Sequence, residues 1–111
     1  MVCSQVLFNS YTQRVRLAEL PAAARPVTPQ EGYRCQAQFV EKLGRTLGYK
    51  IACTNAIAQR FLSMPEPFYG RLLAASTFDS PARLAAGDFF MRVIETGDSR
   101  SGPHGVRARL L

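Results

Sequence analysis

The stretch TPQEGYRCQAQFVEKLGRTLGYKIAC, residues 28–53, decides the fold class, because a helix pattern runs directly into a strand pattern. Thr28 is an N-cap residue, a proline follows at the first helical position, and Glu31 at the third completes a capping box. A set of apolar residues then recurs at helical spacing: Tyr33, Ala37, Val40, Leu43 and Leu47. We predict a helix that ends near Leu47, with Gly48 as its C-terminal stop.

The second half of this stretch predicts a strand. In residues 49–53, Tyr49 and Ile51 alternate with Lys50 and Ala52, which is the period of a half-buried strand. A short helix over residues 56–61 is expected next, with Thr54 or Asn55 as its cap.

Outside this stretch, the pattern predicts helices and strands in separate runs. A first helix is expected over residues 4–17, with Ser4 as N-cap, and Pro21 and Pro26 impose an extended connector after it. Strands are expected over residues 69–73 and 88–95, separated by a turn at Ser80-Pro81. The fold class is therefore predicted to be α+β.

Composition is that of an ordinary soluble domain. The 111 residues are 47% hydrophobic and 20% charged, and the formal net charge is +6. Because the arginines are scattered rather than clustered, they indicate a solvated surface and not a nucleic-acid partner. No apolar run approaches the roughly 18 residues that a membrane span requires. We expect a cytoplasmic protein.

Three cysteines, Cys3, Cys35 and Cys53, give an odd count without metal-ligand spacing. This count argues against a disulfide framework and favours a reducing cytosol. Cys35 and Cys53 lie in apolar patterns, and we predict that they are small core residues.

The sequence changes character after Glu95. Glycines and arginines without any period fill residues 96–111, which predicts a structured portion over residues 1–95 and a flexible tail after it. The abruptness of the change motivates the hypothesis of a shifted reading frame or a truncated gene, which sequencing of the neighbouring DNA would test.

Four segments, in order, resemble the 2-keto-4-pentenoate hydratases of the fumarylacetoacetate hydrolase superfamily. Residues 48–54, GYKIACT, resemble a G-[WY]-K-[IV]-G-x-T segment, and residues 66–73, EPFYGRLL, resemble E-P-x-[YFW]-G-x-L. Residues 25–28, RPVT, look like the helix start of that family, and residues 90–95, FMRVIE, resemble the strand that opens its metal site. The resemblance implies helices followed by the first strands of an incomplete mixed β body.

The resemblance also implies an activity, the addition of water to a 2-hydroxydienoate or its keto tautomer. In such enzymes a divalent ion, Mg²⁺ or Mn²⁺, chelates the substrate and stabilises an enolate. Glu95 matches the first carboxylate of an E-x-E metal pair, but Gly97 stands where the second would be. A single carboxylate is a poor cage for a hard cation. The expectation is therefore a chain that is inactive alone.

Further site residues follow from the same resemblance. Lys50 would orient the substrate carboxylate or assist proton transfer, while the alternative is a strand lysine that points to solvent. Tyr69 and Arg71 are the substrate-binding candidates, and for Arg71 a surface salt bridge is the alternative. Phe68 departs from the family, which often has an acidic residue there.

Three functions remain open from the sequence. The first is a hydratase that acts on a small 2-keto acid. The second is a non-catalytic chain that pairs with a full-length homologue or with itself. The third and least favoured is a basic nucleic-acid binder.

Overall fold

The computed structural model describes residues 1–94 and the backbone of residues 99–101, and within them the chain forms an α+β fold. It divides into two compact units, Met1–Arg45 and a second that begins at Thr46, which are described separately. The helices are α1 (Val2–Gln13), α2 (Pro29–Leu43) and α3 (Ala56–Phe61), and the strands are β1 (Thr46–Ala52), β2 (Phe68–Leu73) and β3 (Ser99–Ser101).

The start of α1 differs from the prediction. The helix begins at Val2, so Ser4 is not its N-cap. Instead, the fully buried Ser4 hydroxyl bonds within the unit, 2.8 Å from the Met1 carbonyl oxygen and 3.2 Å from Gln38 Oε1. The helix ends at Gln13, where Arg14 takes a left-handed conformation with φ 54°. The predicted continuation to residue 17 is therefore wrong.

The start of α2 is confirmed. Thr28 Oγ1 accepts a hydrogen bond from the Glu31 backbone N–H at 3.2 Å. The Glu31 carboxylate reaches back and accepts from the Val27 N–H at 2.8 Å. The first bond satisfies the Glu31 N–H, which the first turn of the helix leaves unbonded, and the second fixes the chain one residue before the N-cap, at Val27.

The predicted end of α2 is wrong by one turn. The helix stops at Leu43 because Gly44 follows with φ 138°, a conformation that residues with a Cβ rarely adopt. Thr46, Leu47 and Gly48 then belong to β1, where strand pairing outweighs the helical spacing of Leu47.

A disulfide joins the two long helices, which corrects the expectation of unpaired thiols. Cys3 of α1 and Cys35 of α2 are bonded, with their Cα atoms 6.0 Å apart, and both are buried. The odd number of cysteines does not exclude a disulfide, because two of the three are bonded and Cys53 remains free. Cys53 is buried, as predicted for that residue. Chain entropy assigns about 3 to 4 kcal/mol to a bond that closes a loop of this length.

The sheet is antiparallel with the order β2-β1-β3. In its register, Lys50 of β1 lies opposite Gly70 of β2, and Ile51 lies opposite Tyr69. The register shifts by a bulge between Thr46 and Gly48. The strands predicted at 49–53 and 69–73 are thus confirmed, but β1 begins three residues earlier and ends one residue earlier than predicted, and β2 begins one residue earlier.

The corner between β1 and α3 is built by local hydrogen bonds. Cys53 turns the chain with φ 60°, and Asn55 Oδ1 accepts from the Ala58 N–H at 2.8 Å. The Gln59 amide then donates to the Cys53 carbonyl oxygen at 3.1 Å. The short helix 56–61 and its Asn55 cap are therefore confirmed.

The strand predicted over residues 88–95 does not form in its described part. Residues 86–88 make a single 3-10 turn, Arg92 Nε donates to the Ala86 carbonyl oxygen, and Ile94 takes part in an isolated bridge. Alternation alone does not make a strand, because the backbone also needs a neighbour. On β1, the place beside residues 48–50 belongs to β3.

Two expectations concern the end of the chain and the membrane. Of residues 96–111, the structure describes 99–101, which form β3, so the predicted tail lies mostly outside the described residues. Across the part of the chain that is described, no helix combines the length and apolarity that spanning a membrane requires.

Candidate functional site

The antiparallel pair β1–β2 presents two chemically different faces. Side chains of paired residues lie on the same face of a sheet, and neighbours along a strand lie on opposite faces. One face, here called the tyrosine face, carries Tyr49, Ile51, Tyr69 and Arg71. The other, the lysine face, carries Gly48, Lys50, Ala52, Phe68, Gly70 and Leu72.

The tyrosine face is open to solvent. Tyr49 and Tyr69 form a T-shaped pair with ring centroids 5.5 Å apart. Ile51, which lies opposite Tyr69, is 52% exposed. Arg71 lies opposite Tyr49 and is half-buried. On β1 and β2, this face is therefore a small aromatic and aliphatic surface that also carries the Arg71 side chain.

The lysine face has one charged side chain among small ones. Lys50 is half-buried at the middle of β1, between Gly48 and Ala52. A Cβ placed on Gly70, directly opposite, would meet nothing within 4 Å. At the end of this face where Leu72 lies, the surface is buried, since Leu72 is 2% exposed. On β1 and β2, the small size of Gly48, Ala52 and Gly70 leaves room for a small anion on this face.

The structure brings some of the predicted site residues together and separates others. Tyr69 and Arg71 lie on the tyrosine face, whereas Lys50 lies on the lysine face. Glu95, the predicted metal ligand, lies outside the described residues. The residue that the sequence reasoning missed is Gly70, whose place opposite Lys50 needed the register of the two strands.

A divalent ion, implied by the resemblance, was tested against the side chains that are present. Among the described residues, no three His, Cys, Asp or Glu side chains come together to hold a metal ion. A hard cation requires several oxygen ligands. The described residues therefore do not fit the ion, and no reaction step is assigned to it here.

A depression of about 420 Å³ lies beside α3 and the loop after it. It is shallow, and its walls come from one short segment of chain: Ala56, Gln59, Arg60, Ser63, Met64 and Pro65. None of the predicted site residues lines it. A small-molecule site usually encloses most of its ligand, which this depression does not do.

When the chain is compared with known proteins, no family model, no curated protein and no solved structure matches it. The α+β fold and the two faces of the sheet are thus the facts from which a function has to be argued.

Proposed function

We propose that the chain carries the 2-keto acid-binding part of a hydratase of the fumarylacetoacetate hydrolase superfamily, with Lys50 as the contact for the substrate carboxylate. One observation carries this proposal. The two segments with the most extensive resemblance, residues 48–54 and 66–73, contribute the adjacent strands β1 and β2, and their register sets Lys50 against Gly70. Segments that are separate in sequence thereby supply one surface.

Lys50 suits the role better than Arg71. A small 2-keto acid cannot contact both faces of one sheet, so only one of the two cations meets its carboxylate. Both cations are half-buried, so burial does not distinguish them. Only Lys50 lies opposite a residue without a side chain, Gly70, where a Cβ would meet nothing within 4 Å. Arg71 lies among exposed aromatic and aliphatic side chains on the other face.

We propose binding without turnover for the 111-residue chain. Addition of water to the dienoate requires stabilisation of an enolate, which a divalent ion supplies when several carboxylates hold it. In the sequence, Gly97 stands where the resemblance places the second carboxylate beside Glu95. What this chain's own residues do, in the proposal, is hold the carboxylate at Lys50 and leave room for the acid over Gly70.

Binding is tested by titrating the ¹⁵N-labelled chain with 2-oxopentanoate and following the backbone amide shifts. We expect shifts at Lys50 and Gly70, and a loss of at least about tenfold in affinity for Lys50→Met, since a hydrogen bond to a charged group contributes about 1.5–3 kcal/mol. Lys42→Met is the matched control, because it removes the same charge from α2. Arg71→Gln tests the other face.

The outcomes separate the possibilities. Retained affinity in Lys50→Met with lost affinity in Arg71→Gln would move the site to the tyrosine face. If millimolar 2-oxopentanoate shifted no backbone amide, the proposed function would be wrong. Turnover is followed through the dienol absorbance of 2-hydroxypenta-2,4-dienoate with Mg²⁺ or Mn²⁺. A rate of about 1 per second or more would show that the chain is a complete enzyme.

A second candidate function is association with a full-length hydratase homologue. Ile57 and Phe61 of α3 favour it, because they lie one helical turn apart and are 75% and 86% exposed. Exposed apolar patches mark interaction sites more often than chance. Co-purification of the chain with a complete hydratase, lost in Ile57→Ser/Phe61→Ser, would support this function. A monomer by light scattering that binds no homologue would exclude it.

A further inference from the structure

The buried part of the first unit is built around the disulfide. Within Met1–Arg45 the buried residues are Cys3, Ser4, Ala24, Cys35 and Val40. Two of these five are the bonded cysteines themselves. Reduction of the disulfide therefore weakens the buried core of the unit and not only its surface.

One further part-buried contact joins α1 to α2, the bond that the Ser4 hydroxyl donates to Gln38 Oε1 at 3.2 Å, and the Met1 ammonium group donates to the same oxygen at 2.8 Å. The remaining contacts between the two helices lie nearer the surface. Lys42 Nζ donates to Gln5 Oε1 at 2.6 Å in an exposed bond. Tyr11 and Phe39 form a T-shaped pair with centroids 5.9 Å apart, and Tyr11 is about half exposed. Exposed polar contacts contribute little because water competes for each partner. Without the disulfide, these contacts would hold the twelve-residue helix α1 only weakly on α2.

The two sulfur atoms are in different chemical settings. Cys3 is the second residue of α1, where the unbonded N–H groups of the first turn stabilise a negative charge. Cys35 lies in the interior of α2. Attack on the Cys35 sulfur therefore expels the better-stabilised thiolate, that of Cys3. Access to the bond requires transient opening of the first turn of α1, whose N-cap Met1 makes no side-chain cap bond and is held by the bond of its ammonium group to Gln38 Oε1.

We propose that the Cys3–Cys35 bond is a reversible thiol–disulfide switch that holds α1 on α2 when oxidised and releases α1 when a dithiol reduces it. One thiolate of the dithiol attacks the Cys35 sulfur, and Cys3 leaves and takes up a proton. The second thiol of the reductant then displaces Cys35, which is protonated in turn. The protein gains two electrons and two protons, and the reductant becomes a cyclic disulfide.

Cys53 provides an internal reference. It is a buried free thiol in the second unit, directly after β1. Because it has no bonded partner, a reductant leaves it unchanged. Any response to a dithiol that Cys53→Ser retains therefore belongs to the pair in the first unit.

The test compares the full chain in reduced and in oxidised dithiothreitol at one pH. Helix content is followed by circular dichroism during heating. Trypsin cleavage is followed at Arg14 and Arg16, both exposed in this unit. We expect reduction to lower the melting temperature by more than about 10 °C. We expect cleavage to accelerate by at least about tenfold, since it follows the population of the opened form. Re-oxidation with oxidised glutathione should restore both values.

Variants and thiol counts decide the interpretation. Cys53→Ser should respond as the unaltered chain does, whereas Cys3→Ser/Cys35→Ser should match the reduced chain in both buffers. If that double variant fails to fold, the reversible response of the unaltered chain carries the test. Equal melting and equal cleavage in both buffers would overturn the proposal. So would titration of three free thiols in chain prepared under oxidising conditions.

Discussion

Lys50 of β1 lies directly opposite Gly70 of β2. The charged residue of the lysine face is therefore paired with a residue that has no side chain. Gly70 has no positive φ that would require glycine. Its role is therefore one of space and not of backbone geometry.

Substitution of Gly70 by alanine should separate stability from binding. A Cβ at this position meets nothing within 4 Å. We expect Gly70→Ala to raise the free energy of unfolding by about 0.5–1 kcal/mol, because glycine inside a strand carries an entropic penalty of that size. Under the proposed function, the added methyl group occupies the space beside Lys50 and weakens 2-oxopentanoate binding. Urea unfolding and the NMR titration measure the two effects.

Gly32→Ala in α2 is the matched control for this variant. A Cβ there also meets nothing within 4 Å, and the site is in the other unit. It should stabilise by a similar amount through helix propensity, about 1 kcal/mol, and leave binding unchanged. A Gly70→Ala chain that binds as well as Gly32→Ala would contradict a site over Gly70.

Gly44→Ala should have the opposite sign. Gly44 ends α2 with φ 138°, which an alanine adopts only under strain. We expect a loss of about 1–3 kcal/mol in the free energy of unfolding, measured by urea titration with circular dichroism. A neutral result would mean that the chain can leave α2 by another backbone path.

Thr28→Ala should destabilise α2 by about 1 kcal/mol, since the N–H of Glu31 loses its acceptor. Thr28→Ser keeps a hydroxyl oxygen at the same place and is the control. We expect Thr28→Ser to melt at or slightly above the temperature of the unaltered chain, and both to melt above Thr28→Ala. If Ser and Ala melted together, the hydroxyl would not be the stabilising group.

Leu72→Ala should be the most damaging single truncation in the sheet. Leu72 is 2% exposed on β2, and removal of a buried leucine side chain costs about 2–5 kcal/mol. Leu62→Ala, at a residue that is 50% exposed, is the control and should cost far less. Equal losses in the two variants, compared by denaturant unfolding, would show that β2 does not pack as described.

The features that the sequence predicted well are those decided within a few residues. The caps at Thr28 and Asn55 were predictable because each side chain bonds a backbone group three residues ahead. The end of α2 was missed because helical spacing continued into Leu47, and only the partner strand β2 shows that this residue belongs to a sheet.

Features that depend on distant partners were missed. The Cys3–Cys35 bond joins positions 32 residues apart, and an odd cysteine count does not say which pair approaches. Over residues 88–94, the described part of the predicted strand, only Ile94 forms a bridge, so the alternation had no strand to pair with there. That Lys50 and Arg71 lie on opposite faces of the sheet follows only from the register of β1 and β2. Alternation along each strand gives two faces, but it does not say which face of one strand matches which face of the other.

The bulge between Thr46 and Gly48 has a consequence for how this sheet tolerates change. From Gly48 onward the side on which each residue of β1 projects is decided by parity, counted from the bulge. Insertion or loss of one residue before Lys50 would move its ammonium group among the tyrosines and turn Tyr49 towards Gly70. Insertion or loss of two residues would keep Lys50 and Tyr49 on their present faces. We therefore expect natural length variation before Lys50 to come in steps of two residues.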